Sequence, residues 1–164
     1  MVNNYLVSKS MRTETGHRLM DYDGPCAHIH GHSYLWTLTF GSSELTPNGM
    51  VIDFKDLKAI MGDVIGRFDH AFLLSSEDTQ MVELLAAGLS AVPGEYNQSP
   101  LLSATNGDYQ NAIVFDFNPT AENLAKYVYE EVVKRLKLLD LPNWVAVSKV
   151  EVWETATSQA SYSC

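Results

Sequence analysis

Cysteine is nearly absent from this 164-residue chain, with Cys26 and Cys164 the only two. Two cysteines build no disulfide framework, so a reducing, cytoplasmic setting is expected. Basic residues are scarce, 11 Lys and Arg against 20 Asp and Glu, for a net charge of −9. Such a chain lacks the basic surface that neutralises phosphates, which argues against broad nucleic-acid binding. No apolar run approaches the ~20 residues that span a bilayer, so no membrane partner is expected. The opening stretch MVNNYLVSKSMRTETG lacks the basic-then-apolar order of a signal peptide. Repeats, heptads and low-complexity tracts are missing as well.

What is present is 46% hydrophobic sequence, enough for one domain over 1–164 with a real core. Residues 5–12 read as a first strand. From His30 the even positions His30, His32, Tyr34, Trp36, Leu38 and Phe40 alternate with smaller or more polar residues. That is a strand with one aromatic, buried face. GSSELTPNG reads as a turn. MVIDFKDLKAIMGDVIGRF predicts a short strand end, then a helix capped by Asp53, with Leu57, Ile60, Met61, Val64 and Ile65 as its apolar stripe. SEDTQMVELLAAGLSAV predicts a second helix ending near Gly88 or Pro93, followed by a long polar loop. AIVFDFN reads as a strand. Asn118 and Pro119 read as N-cap and first residue of a third helix. WVAVSKVEVWET is the last strand, with Ala146, Val150, Val152 and Glu154 on one side and Lys149 and Glu151 on the other. The order suggests an α+β fold, an antiparallel sheet backed by helices.

Three of the five histidines fall in CAHIHGHSY. On a strand, residues i and i+2 share a face, ~6.5–7 Å apart. Two imidazoles at that spacing can converge on one zinc, with Zn–N about 2.0–2.1 Å. His28, His30 and His32 share parity, but the outer two would sit ~13 Å apart, too far for one tetrahedral site. His30 and His32 flank Gly31, which leaves room for close approach, and the third ligand comes from His17 or His70. Three histidines leave a position open, the catalytic arrangement. Cys26 is a fourth ligand, a thiolate base or nucleophile beside the metal, or an inert side chain. Asp69 beside His70 is either an acid–base unit or a loop cap. Glu154 is either solvated at a sheet edge or an anchor for ligand N–H groups. Glu122 is most simply a helix macrodipole partner.

Together these stretches resemble the 6-pyruvoyl-tetrahydropterin synthase / 6-carboxy-tetrahydropterin synthase family. The carriers are GHRLMDYDGPCAHIHGHSY, MVIDFKDLK, FDHAFLL, NPTAENLAKYV and VEVWETATSQASY, five ordered blocks. The resemblance implies His17, His30 and His32 as zinc ligands, Cys26 and the Asp69–His70 pair in proton transfer, and Glu154 as anchor of the pterin ring. It implies a tunnelling fold (T-fold), with a four-stranded antiparallel sheet and helices packed on one side. It further implies a homohexamer, a dimer of trimers with active sites at subunit interfaces, and a pterin triphosphate substrate. Zinc, Arg18 and a neighbouring subunit's Lys or Arg are the expected offsets to the triphosphate charge.

Cys26 lies four residues before His30, a short spacing that resembles the bacterial 6-carboxy type. That type converts 7,8-dihydroneopterin triphosphate for 7-deazaguanine (queuosine-type) biosynthesis. The animal-type pyruvoyl synthases carry a longer gap. Two departures stand out. A longer insertion runs around 76–110, and MRTETGH replaces the usual Phe-x-Ala-Ala run before the first histidine. Rival readings are a small zinc hydrolase using metal-bound water and a non-catalytic zinc module closed by Cys26.

Overall fold

The computed structural model describes residues 4–87, 112–139 and 141–164. Two long strands, β1 (Tyr5–His17) and β2 (His30–Ser42), form the backbone of the fold. They pair antiparallel along their whole length, from Tyr5 opposite Ser42 to His17 opposite His30. The aromatic face expected of β2 is buried: Tyr34, Trp36, Leu38 and Phe40 are fully inaccessible. The first strand runs five residues beyond the expected 5–12 and ends on His17.

Helix α1 (Phe54–Val64) begins as its sequence predicts, with the Asp53 carboxylate accepting from Lys55 N at 2.7 Å. Its stripe of Leu57, Ile60, Met61 and Val64 is buried, and Ile65 closes the helix inside the core. Short strand β3 (Phe72–Ser75) follows, then α2 (Thr79–Ala87) and β4 (Ala112–Phe115). Helix α3 (Ala121–Leu136) buries Leu124, Ala125, Val128 and Val132 in the same cluster as α1 and the aromatic side of β2. Both helices thus cover one face of the sheet. The chain ends in β5 (Ala146–Trp153) and β6 (Gln159–Tyr162). The insertion expected around 76–110 lies largely outside the described residues. No helix among the described residues is long and apolar enough to cross a membrane.

Among the described residues the sheet has six strands in the order β4-β3-β1-β2-β5-β6, not the expected four. β1, β2, β5 and β6 are antiparallel neighbours, while β3 and β4 add in parallel at the β1 edge. β3 and β6 are four residues each, too short to show a period of their own, and they exist because each covers a longer neighbour's edge. The expected strand end at MVI is absent: Val51 and Ile52 are buried in a bend. On β5, Val147 rather than Ala146 faces inward. The register steps from Lys149 to Val147 across adjacent Thr39 and Phe40, so Ser148 is an extra residue. This β-bulge reverses the parity that simple alternation assigns.

The start of α3 also differs. Thr120, not Asn118, is the N-cap, its hydroxyl accepting from Asn123 N at 3.3 Å. Asn118 instead bridges to the chain after β1, its amide accepting from Met20 N and donating to Met20 O. Pro119 therefore precedes the helix, and its carbonyl points to His17.

Arg18 follows the last residue of β1 and forms a two-point ion pair with Asp78 just before α2. Both N···O distances are 2.5 Å, and Asp78 is 1% exposed. Asp78 also accepts from Met81 N. The Arg18 guanidinium is the main cause holding the Asp78 carboxyl below its ordinary value. Replacing Asp78 by Ala strands a partly buried charge and should cost about 3 kcal/mol in urea unfolding at pH 7. A depressed carboxyl stabilises above its unfolded value and loses that contribution as pH falls through the folded one. The gap between wild type and variant should therefore close below about pH 4. A gap under ~0.5 kcal/mol at pH 7, the range of ordinary surface changes, would contradict the pairing.

Candidate metal centre and active site

Strand register brings the histidines together. His17 faces His30 across the ladder, and Thr15 faces His32, so three imidazoles on the helix side of the sheet crowd its open end. Ring centroids are 4.5 Å apart for His17–His30, 5.1 Å for His17–His32 and 5.0 Å for His30–His32. One nitrogen from each lies within 4.8 Å of the others. Gly31 is required between the two β2 histidines, because a Cβ there would approach Thr15 O to 2.9 Å. His28 stands apart, exposed at the end of a short 3-10 turn (Pro25–Ala27). His70 is also outside the cluster, so His17 is the third member.

Local structure sets the tautomers. His17 Nδ1 lies 2.9 Å from Pro119 O, and His30 Nδ1 lies 2.8 Å from His28 O. A carbonyl only accepts, so both Nδ1 atoms carry the proton and both Nε2 atoms offer a lone pair. His30 Nε2 is buried with no partner among the described residues, a costly state that a bound cation relieves. Histidine ligands to metals commonly use a carbonyl in this way. Burial is the main influence lowering the His17 pKa, which favours the neutral, ligating form. The residues present thus fit a metal ion bound by three imidazoles.

Glu154 follows β5, with Oε1 4.0 Å from His17 Nε2. The buried Tyr34 phenol donates to the same carboxylate at 3.2 Å. Burial and then Glu154 push that phenol well above its ordinary pKa, with a smaller push from Cys26. The half-buried Cys26 sits in the turn before β2, pinned where Leu19 N donates to Cys26 O at 2.8 Å. A cleft of about 190 Å³ beside Glu154 is lined by Thr120, Glu122, Ser158 and others, so Glu122 also faces it.

Asp69 and His70 form an exposed pair, with His70 Nδ1 3.1 Å from Asp69 Oδ2. His70 holds φ of 57°, the left-handed region that costs a non-glycine residue energy. It lines a cleft of about 470 Å³ with Glu14, Thr15, Gly31, His32 and Ser33. The structure therefore gathers His17, His30, His32 and Glu154 at one end of the sheet, with Asp69–His70 exposed at the β1 edge in a cleft that His32 also lines. Arg18 is committed to Asp78 rather than to an incoming anion. Tyr34, read from sequence only as core, is the residue that touches both His17 and Glu154. Its place immediately after the His-Gly-His parity was the available signal.

Several solved structures share this architecture. An uncharacterized protein from Wolinella succinogenes superimposes with a TM-score of 0.73 at 27% identity, covering 97% of each chain. The 6-pyruvoyl tetrahydropterin synthase of Plasmodium vivax gives 0.62 at 18% identity, covering 97% of this chain and 98% of its own, a likeness of fold alone. The fold is thus that of the T-fold synthases, as a six-stranded variant of the expected sheet. The family model described as 6-pyruvoyl tetrahydropterin synthase matches residues 6–164. A protein of Aquifex aeolicus called 6-carboxy-5,6,7,8-tetrahydropterin synthase is 33% identical, over 95% of this chain and 96% of its own. Its namesake in Haemophilus influenzae is 30% identical, over 96% and 98%. The chain belongs to the 6-pyruvoyl tetrahydropterin synthase family and is an enzyme, a lyase of the tetrahydropterin-synthase type.

Replacing His32 by Ala should leave the chain folded and abolish tight binding of a divalent metal. Elemental analysis of the purified variant checks this, and full metal occupancy would remove His32 from the centre.

Proposed function

We propose that this enzyme converts 7,8-dihydroneopterin triphosphate to 6-carboxy-5,6,7,8-tetrahydropterin, releasing acetaldehyde and triphosphate, and supplies 7-deazaguanine (queuosine-type) biosynthesis. The observation that carries this is the three-histidine cluster, with His30 Nε2 unpaired among the described residues and Glu154 4.0 Å from His17, in a chain whose curated relatives bear that synthase's name. The short spacing from Cys26 to His30 supports the carboxy product over the pyruvoyl one.

The cofactor of this reading is Zn2+ on His17, His30 and His32, which when bound supplies Lewis acidity toward the hydroxyls of the substrate side chain. Glu154 accepts N–H groups of the pterin ring and fixes its orientation, with Tyr34 holding the carboxylate. Cys26, as thiolate, takes a proton from the side chain. His70, oriented by Asp69, is the partner acid–base. In one chain that pair sits exposed at the β1 edge, in a cleft that His32 also lines. A complete site on this reading uses His70 from a neighbouring copy, in a homohexamer built as a dimer of trimers. With Arg18 held by Asp78, the triphosphate charge meets the metal and basic groups of that neighbour.

Mass spectrometry of the products from 7,8-dihydroneopterin triphosphate should show 6-carboxy-5,6,7,8-tetrahydropterin and acetaldehyde in equal amounts. Accumulation of 6-pyruvoyl-tetrahydropterin without acetaldehyde would make the chain a pyruvoyl synthase. No conversion of the pterin would favour the zinc-module reading.

A further inference from the structure

MRTETGH, the stretch that departs from the family's apolar run, places Thr13 and Thr15 on the inner side of β1, where they are 1% and 4% exposed. A buried hydroxyl without a partner is costly, so the partners reveal what the threonines do. Trp36 Nε1 donates to Thr13 Oγ1 at 2.9 Å, and the Thr13 and Thr15 hydroxyls are 3.0 Å apart. Thr15 Oγ1 donates to Phe68 O at 2.9 Å. Each hydroxyl has one proton, so the chain runs from the Trp36 N–H through Thr13 and Thr15 to the Phe68 carbonyl. Phe68 immediately precedes Asp69, and its ring stacks on Trp36 with centroids 5.3 Å apart.

Three more bonds tie the same turn to the same stretch of β1. Glu14 N donates to Asp69 Oδ1 at 2.9 Å, His70 N donates to Glu14 O at 2.7 Å, and Gly16 N donates to Ala71 O at 2.9 Å. These use only the β1 backbone. The Thr15 hydroxyl is the one β1 side chain among the four contacts, and therefore the one the local sequence chooses. Together they hold His70 at its left-handed φ of 57°, a conformation that persists only where the surroundings over-determine it.

We propose that Thr15 is a positioning residue for the Asp69–His70 pair, transmitting the anchored Trp36–Thr13 core to the turn that presents the imidazole. The proposal deepens the acid–base role proposed above for His70 and rests on it. It also explains the departure from the apolar run: the polar pair replaces bulk with a directed link.

The test compares Thr15→Val, which keeps shape but removes the hydroxyl, with Thr15→Ser, which keeps the hydroxyl. Thr15→Ala is the second hydroxyl-free variant if the valine does not fold. Each holoenzyme carries 15N-labelled histidine for NMR and is assayed with 7,8-dihydroneopterin triphosphate. Thr15→Val should move the His70 ring resonances and lower kcat about tenfold or more, with KM and metal content unchanged. Thr15→Ser should restore both. Unmoved His70 resonances in the hydroxyl-free variants, or an equal loss in Thr15→Ser, would overturn the proposal. Moved resonances with an unchanged kcat would uphold the positioning and overturn the acid–base role of His70.

Discussion

The pairing of β1 with β2 decides where every candidate ligand lies. Side chains alternate along a strand, so a slip of one residue would send His30 and His32 to the opposite side of the sheet. The slip is blocked by the core, since Tyr34, Trp36, Leu38 and Phe40 share the parity of the histidines and are fully buried. Each such burial is worth about 1.5–3 kcal/mol, and a slip would forfeit all four. The polar side adds its own register marks, with Ser8 bonded to Thr39, Ser10 to Thr37 and Ser33 to Glu14. The same burial that folds the sheet aims the imidazoles.

The surroundings of that cluster are made by chain segments that stop short of regular structure. Pro119 lies just outside α3, and its carbonyl orients His17. His28 closes the turn before β2, and its carbonyl orients His30. Had α3 begun at Pro119, that carbonyl would be drawn toward the helix's own hydrogen bonds. The late start at Thr120 therefore belongs to the chemistry as much as to the fold. Tyr34 then joins core to site, its ring below the histidines and its hydroxyl on Glu154.

The long elements were legible because their periods are long enough to count. The alternation from His30 to Phe40 marked β2 and its buried side, and the stripe after Asp53 marked α1 with its cap. The His-x-His spacing pointed to a metal, though parity alone left His17 and His70 as alternatives, because only cross-strand register brings His17 opposite His30. Strands β3 and β6 carry too few residues to declare a period, and each is defined by the edge it covers. The bulge at Ser148 is invisible without a partner strand. Arg18 looked free for an anion because nothing local announces Asp78, sixty residues away, as its counter-ion.

The central claim is that three imidazoles, and not the nearby thiol, hold a catalytic metal with one position open. X-ray absorption at the zinc edge of the zinc-loaded protein measures this directly. The account predicts a shell of nitrogen and oxygen neighbours only, at about 2.0–2.1 Å. A sulfur neighbour at about 2.3 Å would place Cys26 in the coordination sphere, and the site would be a closed structural one.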